Sequence, residues 1–200
     1  KQKETMKHFF ITLFFCMPIM AVCAKGKIDP RYLAGAVPEE NGAVVFNKTI
    51  TINGKTTEEM RQNIYATIQD SLIAKSIVGI RTRVVSDGKT DAVVVAKIEE
   101  YMIFKKKPFS LDRTRFRYQI SAEMDGKEVK LKVSQISFYY NEDMAGENGV
   151  TYKAEEWISD KEAVNKSGTK LYPRSGKFRI KTIDRVEEIF NLITNALNAK

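Results

Sequence analysis

Cysteine and histidine are nearly missing from this 200-residue chain: Cys16, Cys23 and His8 are the only ones. All three fall in one short stretch, MKHFFITLFFCMPIMAVCA from Met6. There Lys7 supplies a positive start, Phe9 to Val22 an apolar run, and Val22-Cys23-Ala24 a small-residue cleavage site. That is the layout of a secretory signal. The apolar run is about 14 residues, short of the roughly 18–20 that a membrane-spanning helix needs, and Pro18 interrupts it. The sequence thus predicts a signal peptide over 1–24, with KQKET as an upstream extension, and an exported product, periplasmic or secreted. Lipid anchoring through Cys23 is a second route, but Val22 stands where a lipoprotein box carries a smaller residue.

Once residues 1–24 are gone, neither imidazole nor thiol remains. Ser-His-Asp and Cys-His nucleophile systems and ordinary zinc sites are then excluded. No G-x-x-x-x-G-K or G-x-G-x-x-G loop is present to cradle phosphate. Two adjacent acid pairs, Glu99-Glu100 and Glu155-Glu156, could in principle serve acid–base chemistry, yet neighbours on a strand point to opposite faces. Asn141, Asp143 and Gly146 echo a calcium loop, but Tyr152 stands where the bidentate carboxylate belongs. The chain is therefore expected to be no enzyme and to need no cofactor or metal. A carboxylate-dependent hydrolase is the remaining catalytic alternative.

Basic residues outnumber acids. Removing 1–24, which hold Lys1, Lys3, Lys7 and Glu4, lowers the net charge from +8 to +6. Such a balance suits an anionic envelope component or another envelope protein, while the export signal argues against nucleic acid.

The pattern after the signal predicts one α+β domain over 43–200, preceded by an extended arm, 25–42. Ala43 to Ile52 reads as a strand. Thr56 to Glu59 spells a capping box, followed by Met60, Ile64, Ile68 and Leu72 at helical spacing. Strands follow over 79–86 and 91–105. Next, RFRYQISAEM and KEVKLKV alternate around Asp125-Gly126, predicting a hairpin in which Ala122 faces Val129 and Ile120 faces Leu131. A change of phase between Val133 and Ile136 predicts a bulge. An excursion over 141–183 contains a short helix from Ser159 and a candidate edge strand, Phe178 to Ile180. Asp184 and Glu187 then open a C-terminal helix.

Two clusters stand out. Alternation places Arg115, Arg117, Lys130 and Lys132 on the open sheet face, a candidate binding surface near the basic stretch Lys105-Lys106-Lys107. Tyr152, Trp157, Tyr172 and Phe178 form an aromatic cluster suited to packing the excursion back onto the body.

RYLAGAVP (31–38), VVFNKTI (44–50), LDRTRFRYQI (111–120), YKAEEWISDKEAVNK (152–166) and KLYPRSGKFRIKTID (170–184) are together informative. They resemble an exported bacterial family of unknown function described as having a TATA-binding-protein-like (TBP-like) fold. The resemblance implies an antiparallel sheet with two helices on one face, in a helix-grip β-α-β4-α order. It implies no activity and no site residues. The expected function is a non-enzymatic binding module of the cell envelope. The alternative is a carrier holding a small apolar ligand between the sheet and the C-terminal helix.

Overall fold

The computed structural model describes residues 28–108, 110–142 and 148–199. The expected signal segment with Cys23, and Asp143 and Gly146 of the calcium-like loop, lie outside the described residues.

A short hairpin of β1 (Glu39–Glu40) and β2 (Ala43–Val44) leads into β3 (Phe46–Thr51). Helix α1 (Thr57–Thr67) starts on the anticipated capping box. Glu59 N donates to Thr56 Oγ1 at 3.2 Å, and Thr56 N to the Glu59 carboxylate at 2.7 Å. A stripe repeating every fourth residue drifts around a helix of 3.6 residues per turn. The chain answers by widening into a π-helical segment, Ile68–Ile73. All of Met60, Ile64, Ile68 and Leu72 thereby stay fully buried.

β4 (Arg83–Asp87), β5 (Val93–Lys107), β6 (Ser110–Asp125) and β7 (Glu128–Tyr140) follow, then β8 (Val150–Lys153), α2 (Asp160–Ala163) and α3 (Pro173–Asn198). The sheet order is β3-β7-β6-β5-β4, every pair antiparallel, with β8 also on β7. Along β6, Phe116, Tyr118, Ile120, Ala122 and Met124 are buried beneath α1 and α3, while the intervening residues face away. The bulge sits at Gln135, whose φ is 53°. Before it the odd positions of β7 are buried, after it the even ones. It also divides the free edge of β7, so that β3 pairs up to Val133 and β8 from Ser137.

The structure corrects three expectations. The hairpin partners are Ala122–Leu131 and Ile120–Val133, because the two-residue loop is Gly126-Lys127 rather than Asp125-Gly126. Gly126 takes φ 60° at the first loop position, where a type II′ turn needs a glycine. A shift of two residues changes partners but not faces, so the buried set is unchanged. Phe178 to Ile180 is not an edge strand; it lies inside α3, which begins at Pro173. Proline suits a first helical turn. Gly176 admits Leu171, whose Cβ would lie 2.7 Å from an added Cβ. The excursion consequently ends at Tyr172, and Asp184 and Glu187 sit mid-helix, both paired with Arg31.

Arg179, on this early part of α3, is 0% exposed. Its guanidinium donates to the carbonyls of Tyr32 (2.7 Å), Leu33 (2.6 Å) and Ile158 (2.7 Å), and to Asp160 Oδ1 at 2.6 Å. Asp160 Oδ2 also accepts from Gly35 N at 2.6 Å. One side chain therefore ties the N-terminal lead, the excursion and the helix together.

The start of α1 should be acid-sensitive. Glu58 accepts from Arg61 Nε and Nη2 at 2.6 Å and from Gln62 at 2.7 Å. Chiefly through Arg61, these bonds hold its pKa at about 2, against an ordinary 4.5. A depressed acid stabilises the fold above its unfolded pKa and loses that contribution as pH falls through the folded one. Glu58→Gln should therefore lower the melting temperature slightly at neutral pH, with the two curves converging as pH drops from 4.5 to about 2.

Candidate anion-binding face of the sheet

The four expected cations all lie on the helix-free face, and each meets carboxylate. Arg117 Nε is 2.6 Å from Glu99 Oε1, and Glu99 is only 4% exposed. Arg115 Nη2 is 2.5 Å from Glu142 Oε2, which raises the guanidinium pKa further. Lys130 reaches Glu123 at 3.7 Å and Asp125 at 3.6 Å, and Lys132 reaches Glu40 at 3.8 Å. The arginine pairs are short and shielded. The lysine pairs are long and solvated, worth little and readily exchanged.

Aromatic rings interleave with the arginines. Arg113 lies 4.0 Å over Tyr101; Arg115 stands between Tyr101 (6.0 Å) and Tyr139 (5.8 Å); Arg117 is 5.1 Å from the Tyr139 ring. Each such contact contributes about 0.5–1 kcal/mol at a half-exposed site and holds the guanidinium flat against the sheet.

Next to Arg117 the bulge opens a depression of about 280 Å³ whose polar lining is Arg81, Arg83, Lys97, Arg117, Gln135 and Ser137. Arg83 donates to the Ile80 carbonyl at 2.7 Å. Among the described residues, no carboxylate pairs with Arg81, Arg83 or Lys97. Sequence reasoning missed these three. The available signal was Arg81-Thr82-Arg83, whose spacing of two puts both guanidiniums on one side of an extended chain. Planar guanidiniums converging beside an ammonium suit a bidentate oxyanion such as phosphate, sulfate or carboxylate.

The adjacent acids diverge, as strand geometry requires. Glu99 meets Arg117 on the open face, whereas Glu100 accepts two 2.8 Å bonds from Arg185 on the helix side. Tyr118 lies beside that second pair with its hydroxyl buried. Burial first, and then the Glu100 charge, push its pKa well above the ordinary 10.0.

Three of the four clustered aromatics meet. Tyr152 stacks on Trp157 at 4.1 Å, and Trp157 meets Phe178 edge-on at 5.7 Å. Phe178 continues to Phe104, Phe138 and Tyr140. Tyr172 stays 44% exposed at the start of α3. The cluster packs the excursion onto the sheet.

Breaking the shielded pair should cost far more than breaking a solvated one. Glu99→Ala should lower the urea-unfolding free energy by about 2 kcal/mol, because Arg117 loses a desolvated partner. Lys132→Ala should change it by no more than about 0.5 kcal/mol.

Comparison with known proteins agrees with this architecture. A domain of unknown function (DUF4468) with TBP-like fold matches residues 46–139. A DUF4468 family protein from Bacteroides ovatus is 33% identical, with a TM-score of 0.78 over 88% of this chain and 98% of that one. A TBP-like protein from Parabacteroides distasonis, 19% identical, aligns with a TM-score of 0.66 over 82% of this chain and 99% of its own, a likeness of fold. Among curated proteins, none matches. On the strength of that identity and coverage, together with the shared sheet-and-helix architecture, the chain belongs to the DUF4468 family.

Proposed function

We propose that this protein is an exported, non-enzymatic binding module of the cell envelope that takes an oxyanionic partner on its open sheet face. The observation that carries the reading is the depression bounded by Arg81, Arg83, Lys97 and Arg117, of which, among the described residues, Arg117 alone has a carboxylate at hand. Like charges gathered without counterions on a rigid sheet repel one another, and an arriving anion relieves that repulsion. Lys130 and Lys132, with distant carboxylate partners, extend the favourable field along the same face. The apolar carrier is less favoured. The middle of the layer between sheet and α3 is filled by Phe138, Phe178, Ile189 and Ile193, all fully buried, and the hollow of about 390 Å³ at its β5 edge is rimmed by the charges of Glu100, Lys181, Asp184, Arg185 and Glu188. Nor do the paired acids suit catalysis, since Glu99 and Glu100 are each held by an arginine on opposite faces.

Retention on heparin resin tests this at matched charge. Arg81→Ser with Lys97→Ser should elute at clearly lower salt than Lys130→Ser with Lys132→Ser, although each pair removes the same charge. Equal elution of the two would mean that the protein answers only to net charge, and would discard the depression as a site.

A further inference from the structure

Beside the depression, the chain exposes two large apolar side chains almost completely. Val78 is 98% exposed and Ile80 89%, more than any other large apolar residue among those described. They flank Gly79 at the tip of the connection between the π-helical segment and β4. Leaving both in water forgoes a burial gain that most large apolar side chains of the fold take, the next most exposed being Val85 at 54%.

The tip is held rather than slack. Ile77 N donates to the Glu99 carbonyl at 2.8 Å, and Glu99 N donates to Thr82 Oγ1 at 3.0 Å. Thr82 N closes onto the Gly79 carbonyl at 3.2 Å, and Arg83 braces the Ile80 carbonyl at 2.7 Å. Both ends are thus fastened to β5, and Val78 and Ile80 are presented outward at no further ordering cost.

Its surroundings are predominantly cationic, Glu99 being taken up by Arg117 and Asp70 and Asp87 standing just beyond the segment. Residues 71–86 contain Lys75, Arg81 and Arg83 and no acid. Lys97 and Arg117 stand behind them in the depression. An apolar tip inside a collar of cations matches the bilayer interface, where acyl chains receive the tip and anionic headgroups the collar. A protein partner fits less well. A stable interface covers roughly 800 Å² on each side, whereas this is a two-residue projection. Strand addition along β4 is hindered by the irregularity between Val84 and Ser86.

We infer that Val78-Gly79-Ile80 is a membrane-contact tip that docks the protein on anionic lipid, with Arg81, Arg83 and Lys97 taking the headgroups. The inference rests on the oxyanion reading of the depression and names lipid as the source of the anion.

Flotation of the full chain with vesicles of phosphatidylcholine, alone or mixed with phosphatidylglycerol, tests it. Residues 1–27 are common to every variant, so only differences between variants are read. The parent chain should partition onto the anionic vesicles and, weakly, onto the neutral ones. Val78→Ser with Ile80→Ser should weaken anionic-vesicle binding about tenfold or more at unchanged melting temperature and unchanged heparin retention. Arg81→Ser with Lys97→Ser should weaken it about fivefold per cation and lessen its salt dependence. Equal binding by the parent and the Val78/Ile80 variant would overturn the tip. Heparin retention that falls with Arg81→Ser and Lys97→Ser, while neither pair of substitutions changes anionic-vesicle binding, would overturn the lipid assignment and leave the oxyanion site standing, with a protein or glycan as its partner.

Discussion

Arg179 carries a full charge with no access to water, and the fold can tolerate it only because four hydrogen bonds replace hydration. A guanidinium offers five N–H donors in a rigid fork. Four of these are used, three on backbone carbonyls and one on Asp160. The carbonyls belong to segments of irregular chain, the lead at Tyr32 and Leu33 and the excursion at Ile158. Without Arg179 the carbonyls of Tyr32 and Ile158 would lose their donor, and that of Leu33 would keep only Ala36 N. The same residue therefore satisfies loop backbone that no strand or helix could serve, and sets where both loops lie on α3.

With that side closed, the two surfaces of the sheet are free to differ. Beneath it, α1 and α3 bury a continuous apolar layer from Met60 to Leu197. Above it, charges organise by depth. Arg117 and Glu99 are locked low against the sheet, the tyrosine–arginine series spreads across it, and Lys130 and Lys132 remain out in solvent. The bulge at Gln135 links the two sides. It reverses which residues of β7 point inward and opens the hollow that Arg81, Arg83 and Lys97 surround. A packing device and a cationic hollow thus arise from one extra residue in a strand.

Alternation in β6 and β7, the capping box at Thr56 and the change of phase after Val133 were all legible, because each is a local rule with a single physical reading. Partners across the hairpin were less so. Choosing between Asp125-Gly126 and Gly126-Lys127 as the loop leaves every face the same, and only the turn type of Gly126 decides. Phe178-Arg179-Ile180 reads as a strand in isolation. Its helical character emerges only when Phe178 and Thr182 are joined to Val186, Ile189 and Ile193 as one buried stripe. Arg179 was illegible for the same reason, since an arginine between two apolar residues of a strand would face water. On the open face, alternation found Arg115 and Arg117 but not their acids, because Glu99 and Glu142 come from distant parts of the chain. Arg81 and Arg83 fell where the register was ambiguous.

Arg179 organises the lead and the excursion as one unit. Hydrogen exchange by mass spectrometry on Arg179→Met, which keeps the apolar stem and removes the charge, measures this directly. Amides of the lead such as Ala36, and of the excursion such as Ile158 and Tyr172, should lose protection together, by roughly a hundredfold or about 3 kcal/mol. Those of the β6–β7 hairpin should keep theirs. Loss confined to one of the two loops, or protection unchanged in both, would contradict it.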